Sequence, residues 1–249
     1  MEYPDGPAPA LSQRFRGRPI IDSAQCPQGC SECANACPTN AITFGPKATI
    51  DLGRCLFCTE CSDVCPQHAV TYSADYRMAV RSREHLLVEN SAEMRLAEEL
   101  GTKLKSLFGR SLKIRQVSAA GCNACEADVN VLGTIGWDLG RFGIQIVASP
   151  RHADAILVTG CVSENMREAL RKTYDAVPAP KLVIVVGACA ISGGPFLGNP
   201  QQHCGAESVV PVDLYIPGCP PHPLTILDGL LRLVGKVKGS KGLMAVFRR

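Results

Sequence analysis

Fourteen cysteines give this chain of 249 residues its most distinctive chemistry. Eight of them fall before residue 70, in two runs with the spacings C-x3-C-x2-C-x3-C-P and C-x2-C-x2-C-x3-C-P. The first run contains Cys26, Cys30, Cys33 and Cys37, and the second contains Cys55, Cys58, Cys61 and Cys65. Three thiols this close together bind three corners of one 4Fe-4S cluster, and the fourth, before proline, binds the neighbouring cluster. The two runs therefore predict two 4Fe-4S clusters.

The crossed pattern divides the eight thiols between these clusters. One cluster is assigned to Cys26, Cys30, Cys33 and Cys65, and the other to Cys55, Cys58, Cys61 and Cys37. The first run has one extra residue between Cys26 and Cys30. We interpret it as a local bulge; the alternative is that Cys26 is detached and a three-iron cluster results.

Structural zinc is the alternative to iron and sulfur, because C-x2-C pairs also form tetrahedral zinc sites. Zinc knuckles are usually two well-separated pairs, whereas each run here has four thiols followed by Pro38 or Pro66. The runs also form a duplicated unit. Its matching residues lie 28 positions apart: Cys30, Cys33, Cys37, Pro38, Ala41 and Thr43, and then Cys58, Cys61, Cys65, Pro66, Ala69 and Thr71. The crowding and the duplication favour iron-sulfur clusters.

The second half alternates short β-branched runs with helical stretches, a pattern that favours a parallel sheet with helices on both faces. The predicted strands are Leu112 to Val117, Ile144 to Ala148, Ala155 to Thr159, Leu182 to Val186 and Val209 to Ile216. The predicted helices are Glu126 to Leu132, Ser163 to Ala176 and Leu224 to Val237. No P-loop or strand-linked G-x-G-x-x-G motif is present in the sequence, so a nucleotide site has little support.

Five further cysteines can converge at one edge of this sheet, because the carboxyl ends of parallel strands lie together there. These are Cys122, Cys125, Cys161, Cys189 and Cys219. The C-x2-C pair is the natural chelate, and a 4Fe-4S cluster needs two more thiols. The sequence alone does not show which two of Cys161, Cys189 and Cys219 complete the set of four ligands. We interpret Cys204 as a buried small hydrophobe, which is also the alternative for Cys161.

Composition narrows the class of protein. The chain is 46% hydrophobic and 20% charged, which excludes disorder. A net charge of +3 and 5% aromatic residues make nucleic acid a poor partner. The polar, Pro-rich N-terminus does not resemble a secretory leader, so we expect a reducing cytoplasm, where clustered thiols are usually metal ligands. The uncharged run from Leu182 to Gln202 is interrupted by Gly193, Gly194 and Pro195, and we predict no transmembrane span.

Two resemblances extend this interpretation. With RGRP, DLGRCLFCTEC and SADYRMAV, the first half resembles the polyferredoxin-like two-cluster subunits of formate hydrogenlyase-type complexes. With GCNACEAD, LVTGCVSENM, VVGACAISGG and VPVDLYIPGCPPHP, the second half resembles the small subunit of membrane-bound group 4 nickel-iron hydrogenases, which is similar to the cluster-N2 subunit of respiratory complex I. This resemblance implies a third 4Fe-4S cluster on Cys122, Cys125, Cys189 and Cys219, and leaves out Cys161. The C-x2-C spacing favours the hydrogenase branch, since complex I has adjacent cysteines there.

Three other positions carry open interpretations. His222 stands where the family usually has arginine; it could shift the potential of the cluster downward or pack against the large subunit. Glu126 and Asp128 match acidic positions of the family and could handle protons near the cluster, although acids also favour a solvated helix N-terminus.

The predicted domain organisation follows. Residues 1–20 are an N-terminal extension, residues 21–89 a two-cluster ferredoxin domain, residues 90–110 a helical linker, residues 111–237 the domain that resembles the small subunit, and residues 238–249 a basic tail. We expect an α+β two-cluster ferredoxin domain followed by an α/β flavodoxin-like domain with a parallel sheet. The part before residue 90 has a charge of −2 and the rest +5. Asn90 to Phe108 has the capping pattern and leucine stripe of a helix, which either packs between the domains or binds a partner.

The resemblance implies an oxidoreductase subunit that carries electrons through three 4Fe-4S clusters and holds no catalytic metal of its own. The implied partners are a hydrogenase large subunit with a nickel-iron site, membrane subunits of the same complex, and a formate dehydrogenase subunit or soluble ferredoxin as external donor. The chain would lie on the cytoplasmic face of the inner membrane, held through its partner subunits. The alternative is the equivalent subunit of a complex-I-like quinone or sulfur oxidoreductase that lacks nickel.

Overall fold

The computed structural model describes residues 2–45, 48–89, 94–98, 107–108 and 111–237. The strands in this part of the chain are β1 Pro19–Ile21, β2 Ile42–Phe44, β3 Ala48–Asp51, β4 Val70–Tyr72, β5 Leu87–Glu89, β6 Leu112–Ser118, β7 Ile144–Ile146, β8 Ala155–Thr159, β9 Leu182–Val186 and β10 Leu214–Ile216. The α-helices are α1 Glu32–Asn35, α2 Glu60–Asp63, α3 Ala124–Val131, α4 Glu164–Ala176, α5 Ala188–Ser192 and α6 Pro223–Leu233. Short 3-10 helices cover Ser23–Gln25, Arg83–Leu86, Leu139–Phe142, Pro150–His152, Gly194–Phe196 and Ala206–Ser208.

The N-terminal part is an α+β unit built on the duplication. Strand β1 pairs antiparallel with β4, and β3 lies between β2 and β5 in a second antiparallel sheet. The one-turn helices α1 and α2 occupy equivalent places in the two copies, and each carries the third cysteine of its run, Cys33 or Cys61. The two copies therefore fold in the same way, and the prediction of a ferredoxin-like first domain is confirmed.

The C-terminal part is built on a five-stranded parallel sheet in the order β10-β9-β8-β6-β7. Every residue of β8 and β9, two of the three inner strands, is buried, as expected where a parallel sheet is covered on both faces. Leu170 of α4 packs on one face with Ile156 and Val183, while α3 and α6 cover the other face with Leu157 and Ile184. The predicted α/β domain with a parallel sheet is confirmed.

Several predicted elements of the sheet domain differ from the structure in their bounds. The last helix, predicted to reach Val237, ends at Leu233. The last strand is predicted from Val209 but begins at Leu214, because Ala206–Ser208 is a 3-10 helix and Pro211 has no N–H to donate. Strand β7 likewise ends at Ile146 rather than at residue 148. The short helix α5 is not predicted, since its residues ACAIS follow β9 without any helical periodicity.

The predicted helix from Asn90 to Phe108 lies mostly outside the described residues, as does the basic tail 238–249. Where residues 94–98 are described they are not helical. The Ala97 amide instead donates to the carbonyl of Ala79, at 2.7 Å, so this segment is fixed by a long-range backbone pair that the leucine spacing does not reveal. For these five residues the helix prediction is wrong.

The two parts share one core. Ile21 and Leu52 of the first part belong to the same buried apolar cluster as Val183 of the sheet. Val80 and Tyr215 form an antiparallel bridge with N–O distances of 3.0 and 2.8 Å. A polar contact adds to this joint, since the Oγ of Ser192 donates to the carbonyl of Gly53 at 2.8 Å. The ferredoxin part is therefore packed directly on the sheet domain.

The N-terminal segment reaches helix α6 on the other side of the sheet domain. The Tyr3 hydroxyl donates to Asp228 at 2.5 Å, and Arg141 donates to the Tyr3 carbonyl at 2.7 Å. Asp228 also accepts from Nε of Arg232 at 2.7 Å, and both of these side chains are buried. None of the described helices is long and apolar enough to span a membrane.

Candidate metal centres

Three thiols of the first run and the last thiol of the second form what we call the outer group: Cys26, Cys30, Cys33 and Cys65. Burial raises the pKa of the Cys33 thiol to about 11, and the neighbouring Cys61, Cys65 and Cys26 add to the shift. Burial also raises the pKa of Cys26, with contributions from Cys65 and Cys30. The fourth thiol of the second run thus lies beside the first run.

The inner group consists of Cys37, Cys55, Cys58 and Cys61. Burial raises the pKa of Cys55 to about 12; the Phe57 amide opposes the shift, while Cys61, Cys37 and Cys58 add to it. The pKa of Cys61 is raised by burial first, and again Cys58 and Cys37 are among its neighbours. The fourth thiol of the first run therefore lies with the second run, in the arrangement that the crossed spacing predicts.

The third group consists of Cys122, Cys125, Cys189 and Cys219, at the carboxyl edge of the parallel sheet. The pKa of Cys189 is raised to about 12. Burial is the largest cause, and the neighbouring Cys219, Cys161 and Cys122 each raise it further. The pKa of Cys125 is raised by burial, then by Glu126 and by the other three thiols of the group. Cys122 and Cys219 are in the loops after β6 and β10, while Cys125 and Cys189 are in the first turns of the helices that follow β6 and β9, so the sheet brings the four together.

Two glycines leave room around the third group. A Cβ on Gly187 would lie 2.6 Å from Sγ of Cys125, and one on Gly194 would lie 2.8 Å from Sγ of Cys189. Both glycines have positive φ, 92° and 55°. A side chain at either position would occupy the space beside the sulfur atoms, so the residues present fit a bulky group held by four thiolates.

The three groups follow one another in space. Cys33 of the outer group has Cys61 of the inner group as a neighbour, and the pKa of Cys219 in the third group is raised by burial, then by Cys122 and by Cys58 of the inner group. Among the described residues, no three His, Cys, Asp or Glu side chains converge closely enough to hold a single metal ion. The inner group lies between the other two.

The two remaining cysteines have different surroundings. Cys161 is buried, and its Sγ lies 2.9 Å from Oε1 of Gln202 and 3.2 Å from the carbonyl of Ala120, so its thiol has acceptors within the protein. It is also a neighbour of Cys189. Cys204 is exposed, so the prediction that it is a buried small hydrophobe is wrong. It precedes Gly205, which has a positive φ and is buried against the Ile191 backbone.

Glu126 is buried, not solvated, which rules out the solvated-terminus interpretation for this residue. Its Oε1 accepts hydrogen bonds from Ser118 at 2.6 Å and from Thr159 at 2.7 Å. The carboxylate thereby ties the first turn of α3, which carries Cys125, to the ends of β6 and β8. Sequence reasoning misses both hydroxyl partners, because nothing in the sequence links Glu126 to Ser118, 8 residues away, or to Thr159, 33 residues away.

Asp128 lies half-buried beside the third group. It lines a cavity of about 260 Å³ together with Cys219 and His222, and burial raises the pKa of its carboxyl. A raised pKa makes proton uptake easier, but a role in proton handling stays a prediction for both Asp128 and Glu126.

His222 has a structural partner within its own chain. Its Nδ1 accepts a hydrogen bond from the Leu224 amide at 3.1 Å and so caps helix α6. Its ring makes edge contacts with Phe15 and Trp137, at centroid distances of 5.3 and 5.9 Å. Burial lowers the pKa of this imidazole. The contacts favour packing and capping over a purely electrostatic role.

His222 should therefore make stability depend on pH. Because its pKa is lower in the folded chain than in the unfolded one, the unfolded chain takes up the proton first, and stability is lost as the pH falls below about 6.5. His222→Asn keeps an acceptor at the cap and does not titrate. We expect the thermal midpoint of the wild type to fall more steeply between pH 7 and pH 5.5 than that of His222→Asn; parallel curves would contradict this role.

Comparisons with known proteins agree with both halves of the chain. Residues 122–233 match the family described as NADH ubiquinone oxidoreductase, 20 Kd subunit, and residues 25–69 match the 4Fe-4S dicluster domain. The probable membrane-bound hydrogenase subunit mbhJ of Pyrococcus furiosus is 36% identical over 155 residues, which are 61% of this chain and 93% of that protein. An NADH-quinone oxidoreductase subunit of Bacteroides thetaiotaomicron is 37% identical over 165 residues, 62% of this chain and 83% of that protein.

A solved structure is also similar. It is that of the membrane-bound sulfane sulfur reductase, an archaeal respiratory membrane complex, of which one chain is 31% identical with a TM-score of 0.48. The similarity covers 57% of this chain and 78% of that chain.

Proposed function

Because the chain belongs to the family of the NADH ubiquinone oxidoreductase 20 kDa subunit, we propose that it is the electron-transfer subunit of a membrane-bound group 4 nickel-iron hydrogenase complex. The chain is an oxidoreductase subunit of the complex-I-like class, with 4Fe-4S clusters as its cofactors. The hydrogenase assignment goes further. It is supported by the relative from Pyrococcus furiosus and by the C-x2-C spacing of Cys122 and Cys125.

Three groups of four thiols are the observation that carries this proposal. We assign one 4Fe-4S cluster each to the outer, inner and third groups. Such clusters accept and release single electrons at potentials set by their surroundings. The cysteines would bind the irons as thiolates, and Gly187 and Gly194 would leave the sulfur atoms of the third group accessible to them. Cys161 and Cys204 are not assigned as ligands.

The fold places the third group where ligands commonly bind. Counted within the second domain, the strand order is 2-1-3-4-5, and on this basis we assign a flavodoxin-like fold. In such sheets the strand order reverses between the first and third strands, here β6 and β8, and the crevice opens beyond their carboxyl ends. Cys122 and Cys125 follow β6 in the chain, at that crevice.

The exposure of the third group suits the transfer of electrons to a partner subunit. Cys122 and Cys219 are exposed although two other thiols of the group are partly buried. We propose that the nickel-iron large subunit covers this edge of the sheet, and that a formate dehydrogenase subunit or a soluble ferredoxin exchanges electrons at the outer group. Membrane subunits of the same complex would hold the chain at the cytoplasmic face of the inner membrane.

The second candidate is the equivalent subunit of a complex-I-like oxidoreductase without nickel, acting on a quinone or a sulfur compound. The observation that favours it is the set of relatives named as NADH-quinone oxidoreductase subunits, one of which, from Clostridium beijerinckii, is 43% identical over 118 residues. Such a complex would use the same three groups of thiols, so the two candidates differ in the large subunit and its nickel.

Metal analysis of the anaerobically purified complex tests the proposal. We expect about twelve irons per copy of this chain, three paramagnetic signals after reduction, nickel in the large subunit and hydrogen evolution. Iron at the expected level without nickel or hydrogen evolution would favour the second candidate. Zinc in place of iron, with no visible absorption from clusters, would contradict both.

A further inference from the structure

The hydroxyl of Tyr72 lies beside a sulfur of the inner group. Tyr72 ends strand β4, and its oxygen is 3.6 Å from Sγ of Cys61. A phenol keeps its proton at neutral pH, whereas a cysteine bound to iron is a thiolate and has none to give. With iron bound, the Tyr72 hydroxyl is therefore the donor and Cys61 the acceptor.

The duplicated unit shows that this donor exists in one copy only. With the offset of 28 positions, Tyr72 at the end of β4 corresponds to Phe44 at the end of β2. A phenylalanine ring has no hydroxyl, so the outer group lacks the equivalent side-chain bond.

The backbone amides also donate more hydrogen bonds to the inner group than to the outer group. The Ala41 amide donates to Cys37 at 3.2 Å, and its counterpart Ala69 donates to Cys65 at 3.3 Å, so each group receives one such bond. The inner group receives another from the Phe57 amide to Cys55, at 3.4 Å. In the first run the extra residue alters this turn.

The sulfur of Cys26, which corresponds to Cys55, instead lies 3.8 Å from the carbonyl of Asp22, an acceptor. The hydroxyl of Thr39 is 3.8 Å from Cys37 but donates to the carbonyl of Arg54 at 2.8 Å, so its proton is already engaged. Among the described residues, Tyr72 is thus the side-chain donor that distinguishes the inner group from the outer one.

We propose that Tyr72, acting through Cys61, raises the reduction potential at the inner group above that at the outer group. The inference rests on the proposed function, since it requires a 4Fe-4S cluster at each group. Hydrogen bonds to the sulfur atoms are one of the factors that set such potentials. On reduction one electron enters, no covalent bond breaks, and the phenol keeps its proton while its O–H dipole stabilises the added negative charge. The chain then favours electron movement from the outer group inward.

The test is a redox titration of the reduced complex, followed by electron paramagnetic resonance, for the wild type, Tyr72→Phe and the control Tyr174→Phe. Tyr174 is on α4, away from the three groups, and its ring contacts Lys181. We expect Tyr72→Phe to keep the wild-type iron content and to lower one midpoint potential, that of the signal which Cys58→Ala removes. Tyr174→Phe should change none of the three midpoints.

A second variant tests the same inference if Tyr72→Phe fails to fold. Replacing Tyr72 by 3-fluorotyrosine keeps the ring and makes the hydroxyl a stronger donor, so the same midpoint should rise. Unchanged midpoints with this replacement, or a shift in the outer-group signal instead, would overturn the inference. A wild-type complex that shows no 4Fe-4S signal would overturn the proposed function itself, which is a different result.

Discussion

Cys189→Ser is expected to remove the cluster of the third group and with it about one third of the iron. Cys189 follows strand β9 and lies among Cys219, Cys122 and Cys125, so its loss leaves three thiols in a site built for four. Electron delivery to the partner should fall to background, because this group is the proposed exit. The measurement is the iron content and the set of paramagnetic signals in the purified complex, with the other two signals kept.

Cys161→Ser is the matched control. Cys161 is a neighbour of Cys189, but its Sγ lies within hydrogen-bond distance of Gln202, and a serine hydroxyl can make the same bond. The iron content and all three signals should remain at the wild-type level. If Cys161→Ser removed the third signal while Cys189→Ser kept it, the ligand assignment would be wrong.

Asp228→Ala should have the largest effect on stability, a loss of about 3–5 kcal/mol, because it leaves a buried guanidinium without its counter-charge. The side chains of Asp228 and Arg232 are only 1% and 7% exposed. The substitution also removes the acceptor for the Tyr3 hydroxyl. For a chain of this length the loss corresponds to a fall of roughly 6–20 °C in the thermal midpoint, measured by circular dichroism under anaerobic conditions.

Glu168→Ala is the control for that experiment. Glu168 and Lys172 have the same i,i+4 spacing on α4, at 3.5 Å, but their side chains are 60% and 75% exposed. Exposed pairs contribute about 0–1 kcal/mol, so the midpoint should hardly move. Equal effects of the two substitutions would show that burial of the pair around Asp228 does not matter.

Local spacing is enough to predict much of the fold and the grouping of the thiols. Strands β8 and β9 have the bounds that their apolar runs predict, because a strand buried on both faces is apolar at nearly every position, with Thr159 at the end of β8 the exception. The crossed grouping is likewise a prediction from spacing, since in runs of this type the fourth cysteine, before proline, binds the other cluster. The structure has Cys65 among the neighbours of Cys33 and Cys37 among those of Cys55, while the division into two ligand sets stays a prediction.

Features that depend on long-range contacts could not be predicted in this way. The buried position of Glu126 depends on Thr159, which lies on another strand, and the exposure of Cys204 depends on how the loop after α5 runs. Residues 94–98 follow Ala79 instead of forming a helix. In each case a tertiary partner overrides the local pattern, and a single sequence contains no record of such partners.

The bridge between Val80 and Tyr215, together with the shared core, changes what the ferredoxin part can do. A free ferredoxin works as a shuttle, leaving one protein to find another, and it can serve several acceptors in turn. In the proposed complex the ferredoxin part is instead fixed to a single acceptor, and discrimination among donors would depend on the surface around the outer group.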